Sequence, residues 1–463
     1  MSTYGAGVPR RRSVGWSRAL TGRNDSWFVP LSALAVVAIG AWLGVQLTNP
    51  DAPIATSLAA VGAGGFALLV GLVLTVPMAM FTTAFALLGF VLVEPAPVDV
   101  VFFLMIMLTV AARVVDPLVP GAITVLLVLL VALTLLSIVN AADTATSVRF
   151  EAITLFLVAL GVWLTWMFRD PRATRLAMTA YVLAASVTAG LSTVARFAPF
   201  PGGEVLQFDE FRVQGLFQDP NVFAAFLVPA AAIVLEDIAR PRLFRWSRNV
   251  SMVLFMTFVA GTIVAFSRAG WLNLFLACTT VILVTTFRRG GMRRMTRVAG
   301  VIVATAVGGI VLLSTTGSLA FLEQRTGLES YDSDRFGAQS SAFSSMTDFV
   351  LGHGPGQVEE GLDISTHSMY ARSAYEQGVL GLVLVSTLML VTLGLAWGLA
   401  RRDADVNGVG SAALLGSWLG LLASGFFIDT LHWRHLWVVA ALIWVGAASR
   451  GLRAPPAVAE APG

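Results

Sequence analysis

The residues of this 463-residue chain that could do chemistry are arginines and histidines. All 30 basic residues are arginine, and all four histidines (His353, His367, His432, His435) fall in the last quarter of the chain. A guanidinium donates planar, bidentate, permanently charged hydrogen bonds, the geometry that suits phosphate. Imidazole is the natural proton acceptor near neutral pH. Four arginines stand in settings that point to a ligand. Arg212 lies in Phe-Arg-Val-Gln-Gly-Leu-Phe-Gln-Asp-Pro-Asn (211–221), just ahead of the helix-start signal Asp219-Pro220-Asn221. Arg268 lies in Phe-Ser-Arg-Ala-Gly-Trp (266–271), the only polar punctuation between two apolar runs. Arg335 opens an amphipathic stretch in which Phe343, Met346 and Val350 fall at helical spacing, so that it either lies on a membrane surface or caps a cavity. Arg434 belongs to the polar and aromatic segment 429–437, which also reads as an interfacial belt.

His367 and Glu376 are the candidates for proton transfer. Their separation of nine residues is roughly 900° of helical rotation, which puts them on opposite faces of a straight helix. They share a site only if the helix starts late or bends. The turn Gly352-His353-Gly354-Pro355-Gly356 has glycines that allow a backbone to approach a ligand closely. Asp332-Ser333-Asp334 is a spacing seen at divalent-metal sites and also in ordinary exposed loops, and no metal is assigned to it. Cys278 is the single cysteine and sits in an apolar run, so neither a disulfide nor a cysteine metal site is available. No cofactor is implied.

The elements that must position these groups are set by composition. Hydrophobic residues make up 57% and charged residues 12%, with a mean hydropathy of +0.80. A soluble domain has about 25% charged residues, and about 20 apolar residues cross a bilayer as a helix. A soluble enzyme, a disulfide scaffold and a disordered chain are therefore excluded. The expected class is an all-α, polytopic transmembrane bundle. Spans are expected near 27–47, 54–74, 77–93, 98–114, 118–139, 151–168, 176–195, 220–236, 250–266, 270–287, 298–315, 374–398, 409–427 and 434–449. With both termini inside, these fourteen spans leave 22 of the 30 arginines on the inner side and 19 of the 27 acidic residues on the outer side. The net charge of +3 thus reflects topology rather than a nucleic-acid partner. The outer arginines Arg149, Arg196, Arg325 and Arg372 read as rim groups that snorkel to water. Residues 1–26 form a basic inner tail, 27–450 the bundle and 451–463 a disordered tail. The longest outer segments are 196–219 and 316–373, and long loops in compact proteins are usually functional.

Arginines and a histidine on one outer face suit a lipid-linked phosphate or diphosphate. The ordered set Arg212, Gly215 and Asp219-Pro220-Asn221, then Ser267-Arg268, then the Arg335 stretch ending in Gly-His-Gly-Pro-Gly, then His367 and Glu376-Gln377-Gly378-Val379-Leu380-Gly381, resembles the O-antigen ligase and O-antigen polymerase superfamily. The similarity covers roughly residues 205–440. It implies a GT-C-like helical bundle with a large extracytoplasmic loop between spans eleven and twelve, in a bacterial cytoplasmic membrane. It also implies transfer of a glycan from a polyprenyl-diphosphate carrier to an acceptor glycan hydroxyl. Arg212 and Arg268 would then bind the diphosphate, and His367 would act at the acceptor. Two features depart from the family pattern: Ser368 follows the histidine where Asn is usual, and the ligase branch has about twelve spans. The competing expectation is a lipid-linked oligosaccharide flippase, which should carry arginines along a central path through its spans.

Overall fold

Inside a bilayer each backbone N–H and C=O must find its partner within the protein, and an apolar run does so by forming a helix. The computed structural model of the protein describes residues 54–198, 200–244, 246–288, 300, 303, 307, 330–362 and 364–451. Among the described residues every regular element is helical, apart from the isolated bridges Gln207–Val213 and Val406–Val409. In chain order the helices are α1 (Ile54–Thr75), α2 (Pro77–Leu87), α3 (Pro97–Ala111), α4 (Gly121–Ser137), α5 (Thr144–Met167), α6 (Pro171–Phe197), α7 (Pro220–Ala239), α8 (Arg248–Val264), α9 (Arg268–Phe287), α10 (Ser330–Ser344), the single turn α11 (Val358–Gly361), α12 (Met369–Arg401), α13 (Ser411–Ser424) and α14 (Arg434–Gly451).

The helix starts follow from local side-chain chemistry. Asp143, Asp170, Asp219, Ser247, Ser267 and Ser368 each precede a helix, and their side chains accept an N–H of its first turn. Six described helices are long and apolar enough to cross a membrane: α4 with its 3-10 extension, α5, α6, α7, α9 and α12. The fold is that of a helical membrane protein. Of the expected spans, twelve fall on described helices, while those over 27–47 and 298–315 lie outside the continuously described segments. Four of the twelve, α3, α8, α13 and α14, are shorter apolar helices. Two more, α1 and α2, meet at Val76 with a bend of 118° between 67–75 and 77–87, so the pair forms one broken span or a re-entrant loop.

The chain divides into two compact units, one of residues 1–84 and 100–115 and the other of 85–99 and 116–463. In the first, Thr109 donates its hydroxyl back to the Met105 carbonyl (2.7 Å). All candidate residues belong to the second. Its axis is α7, buried along nearly its whole length, as a helix apolar on every side must be. Around it pack α8, α9 and α13, and α12 packs on α4, α13 and α14. The outward faces of α4, α9 and α12 show large apolar side chains such as Val128, Leu136, Phe275 and Leu390, which suit contact with lipid.

Charges collect at the helix ends. Along α7, Asp219 and Glu236 are separated by about 26 Å at 1.5 Å per residue. At the far end, buried Glu236 accepts from Arg288 (2.8 Å) and from the Ala413 N–H (2.7 Å), and Asp403 accepts from Arg240 (2.6 Å) and pairs with Arg288 (3.0 Å). This network ties the ends of α7 and α9 to the start of α13. The near end holds the candidate site.

One helix is interrupted there. Gly378 takes φ +66° and ψ −163° inside α12, which breaks the helical ladder. The turn 352–356 docks against the break, where the N–H groups of His353 and Gly354 donate to the carbonyls of Tyr375 (3.0 Å) and Glu376 (2.9 Å). Gly352 has φ +73°, and a Cβ there would collide with the backbone of Glu376 and Gln377. Gly337, on α10, faces open space. Gly352→Ala should therefore destabilise the protein by more than about 1 kcal/mol, while Gly337→Ala should be neutral or stabilising by about 0.5–1 kcal/mol. Thermal unfolding of the purified variants in detergent checks both, and equal melting temperatures would contradict the docking.

Candidate functional site

Three of the four singled-out arginines and His367 line one cavity of about 680 Å³. Arg212 reaches it from the hairpin 207–213. Asp209 accepts the N–H groups of Phe211 (2.9 Å) and Arg212 (2.8 Å), and the Val213 N–H donates to Val264 (3.2 Å) at the end of α8. The Arg212 guanidinium lies 5.3 Å from the centre of the Phe208 ring, and its Nε donates to the Ala265 carbonyl (3.3 Å). Arg268 is the first residue of α9, and its two terminal nitrogens donate to the two oxygens of Asp332, one of them at 2.8 Å. Arg335 comes from α10 and donates to the Phe427 carbonyl. Asp332, Arg335, Phe336 and Gln339 all line the cavity at spacings of three and four residues, so one face of α10 forms a wall.

Two helix N-termini face the same space. Asp219, Pro220 and Asn221 of α7 and Arg268 and Ala269 of α9 are in the lining, and Ser267 Oγ ties them by donating to Asn221 Oδ1 (2.7 Å). The positive end of a helix dipole adds to the attraction for an anion. Phe266 (φ +47°) and His367 (φ +45°) share an unusual left-handed backbone, and each precedes a serine N-cap, Ser267 of α9 or Ser368 of α12. Residues held in such conformations need surrounding structure to fix them and gather at functional sites. Ser368, where the resembled family usually has Asn, accepts the Ala371 N–H (3.3 Å), a capping task that Asn performs as well. Burial and then the positive charge of Arg335 lower the pKa of His367, against the pull of Asp219 and Glu359. The imidazole is thus kept neutral, which is the form that accepts a proton.

Glu376 and Arg434 do not join this cavity. The helix carrying Glu376 begins at Met369, and its break at Gly378 falls after Glu376 instead of between it and His367. The two side chains therefore stay apart, and Glu376 lies in a separate buried cluster. Arg434 starts α14 and forms a two-pronged pair with Asp99, with Nε to Oδ1 at 2.5 Å. That pair fastens two segments together and lies outside the lining of this cavity. The glycines of the Gly-His-Gly-Pro-Gly turn are spent on close packing within the protein: Gly352 lies against the backbone of Glu376 and Gln377, Gly354 against Ser137 and Ala141, and Gly356 against the ring of Phe150. Asp332 engages Arg268, and no group of three or more His, Cys, Asp or Glu among the described residues is arranged to hold a metal.

The largest departure from expectation concerns Arg372. Read from spacing as a rim residue, it is buried, with its side chain 10% exposed. Its guanidinium meets Glu359, Glu376 (2.9 Å) and Asp429 (3.1 Å). Asp429 in turn bonds His432 Nδ1 (2.7 Å), whose Nε2 lies 3.2 Å from the Thr154 hydroxyl on α5. Burial alone would raise the Asp429 carboxyl, but the charge and hydrogen bond of His432, with Arg372 beside it, outweigh burial and hold it down to about 2. Burial would lower His432, and the Asp429 carboxylate overrides this and raises it. Two further buried groups, Glu151 and Thr134, bond each other (3.0 Å) nearby. Arg149, by contrast, is exposed, Arg196 is half-buried over the rings of Phe197 and Phe211, and Arg325 lies outside the described residues.

No family model matches the chain, and no curated protein matches it. The site is therefore read from its own geometry. Removing one partner of a buried ion pair costs about 3–5 kcal/mol because the other charge is left behind. Arg372→Ala strands Glu376 and Asp429 and should lower stability by that amount, whereas Arg149→Ala should change it by less than about 0.5 kcal/mol. Thermal or denaturant unfolding in detergent decides this, and similar stabilities for the two variants would return Arg372 to the rim.

Proposed function

We propose that this protein transfers a glycan from a polyprenyl-diphosphate carrier to a sugar hydroxyl at the outer face of a bacterial cytoplasmic membrane. The observation that carries the reading is the convergence of Arg212, Arg268, Arg335 and His367, from four separate segments, on one cavity where α7 and α9 begin. Such a cavity suits a dianionic group beside a reacting hydroxyl. Its lining also includes Phe208, Phe266, Leu272, Phe336 and Phe427, an apolar wall that accommodates a lipid tail.

In the proposed step an acceptor hydroxyl attacks the anomeric carbon of the donor sugar, and its proton passes to the neutral imidazole of His367. The bond from that carbon to the diphosphate breaks. The polyprenyl diphosphate leaves with the bonding electrons, and the arginines and helix starts stabilise the charge that develops on it. No metal is required by these roles, and none of the residues named needs one. The expected sidedness of the loops from residue 94 onward belongs to the same proposal. It is supported by the polar contacts: the groups expected outside (Asn140 with Gly352, Asp143 with Gln357, Arg434 with Asp99) meet one another, as do those expected inside (Asp116 with Arg169, Arg240 with Asp403). A GT-C-like identity of the bundle is likewise part of the reading.

Arg268→Lys keeps the charge but loses the fork, and should retain less than about a tenth of the activity. His367→Ala should lower turnover about 10²–10⁴-fold with donor affinity nearly unchanged. The assay is glycan elongation or attachment from a lipid-diphosphate donor by the reconstituted protein. Movement of labelled donor across the bilayer with no change in glycan length would establish a flippase and overturn the reading. Gel profiles of surface glycans from a deletion strain assign the acceptor, since single repeat units left on the carrier mean polymerase and unattached full-length polymer means ligase.

The pH dependence carries its own signature. With His367 lowered, its neutral form persists below the ordinary histidine value near 6.5, so the acidic limb of kcat/KM should have its midpoint below that pH. Arg335→Gln removes a charge that lowers His367, and should move the limb upward. A limb that stays in place in this variant would argue against His367 as the base.

A further inference from the structure

We propose that Asp332 is a displaceable counter-ion on Arg268 and that α10 is a lid which this ion pair latches over the cavity, an inference that rests on the diphosphate reading above. The Asp332 carboxylate engages both terminal nitrogens of Arg268 with its two oxygens, the same fork that a phosphate would use. The protein's own anion thus occupies a donor pair that faces the cavity, while the Arg268 side chain stays 32% exposed. Arg335, on the same helix, is turned onto the Phe427 carbonyl. A diphosphate arriving between them offers better acceptors to both cations.

The helix is built to respond. Its C-terminal end is anchored, because Ala342 is fully buried in a cluster with Val358, Ala371 and Tyr375, and the 3-10 turn Ser345–Thr347 packs on α12. Its N-terminal end is held by Asp332, about 15 Å away along the axis. Between these points α10 buries no large apolar side chain: Phe336 is 49% exposed, and Gln339 holds on through the carbonyls of Thr366 (2.9 Å) and Phe426 (3.3 Å). Breaking the ion pair therefore removes a two-pronged, charge-assisted contact from the first turn of a helix that buries no large apolar side chain there. Competition for Arg268 therefore couples binding of the anion to release of the helix. The same competition lowers the affinity for any anion that cannot outbid a carboxylate.

The experiment uses the full chain in detergent with inorganic pyrophosphate as probe. A spin label goes on Gly337→Cys, an exposed position with open space, in a Cys278→Ala background. Expected results are a label that becomes more mobile when pyrophosphate saturates the parent, and the same mobility in Asp332→Asn without pyrophosphate. Asp332→Asn should also bind pyrophosphate about tenfold more tightly, since the internal competitor is gone. If pyrophosphate binds the parent but the label does not respond, the lid is wrong while the transfer reading stands. If Asp332→Asn gains no affinity, the counter-ion is wrong. Failure of both proteins to bind pyrophosphate would sink the anion site and the lid together.

Discussion

A buried guanidinium holds together the end of the bundle where the cavity lies. Arg372 sits among the carboxylates of Glu359, Glu376 and Asp429, and so joins the loop before α12, the first turns of α12 and the loop before α14. One cation among three carboxylates, of which Glu376 is buried, Asp429 half-buried and Glu359 exposed, leaves an excess of negative charge at Glu376 and Asp429 that water screens poorly. The arrangement meets this excess with His432, raised toward its charged form against Asp429, and with the Gly356 N–H, which donates to Glu376 (2.9 Å). That last bond also seats the glycine turn against the α12 break. Because His367 lies five residues before Arg372, the same knot sets where the imidazole stands at the cavity wall.

The cavity itself follows from where a membrane helix can keep its charges. Within a span an unpaired ion costs about 2.5–3.5 kcal/mol or more, so charged groups are driven to the ends of helices. Arg268 and Arg288 bracket α9 in this way, each with an acidic partner. At one end the pairing is closed, because Glu236, Arg288 and Asp403 satisfy one another and the start of α13. At the other end three guanidinium groups face two carboxylates around open space, with helix N-termini behind them. The asymmetry between the two ends is what makes one of them a candidate site and the other a fastening.

Much of this was legible in the sequence, for a physical reason. Twelve expected spans fall on described helices because apolar length and capping residues are local signals, as at Asp219-Pro220 and Ser267. Arg212, Arg268 and His367 stood out because each lies beside a helix start, and helix starts at one end of a bundle converge. What stayed hidden depends on partners distant in sequence. Nothing near Arg372 announces Asp429, 57 residues later, and nothing near Arg434 announces Asp99. The glycine turn was misread since glycine permits close approach without saying to what. Asp332 was noticed as a possible metal pattern, yet its stripe with Arg335, Phe336 and Gln339 at helical spacing was the available sign that α10 faces a cavity.

The distribution of polarity also weighs on the choice between transfer and transport. Moving a diphosphate across the bilayer requires groups that can accompany its charge between the two faces. Between Asn221 and Glu236, α7 presents only apolar side chains, and neither α13 nor α12 beyond Glu376 as far as Arg401 carries a charge. α9 likewise has none between Arg268 and Arg288, where Asn273 is closely packed against Gly420. Along α7, α9, α12 and α13 the two polar ends are thus separated by about 26 Å of apolar helix that carries no charged side chain to accompany an anion. An anion held at the cavity has a strong electrostatic reason to stay where it is. That favours chemistry carried out on the headgroup in place over passage of the headgroup through the bundle.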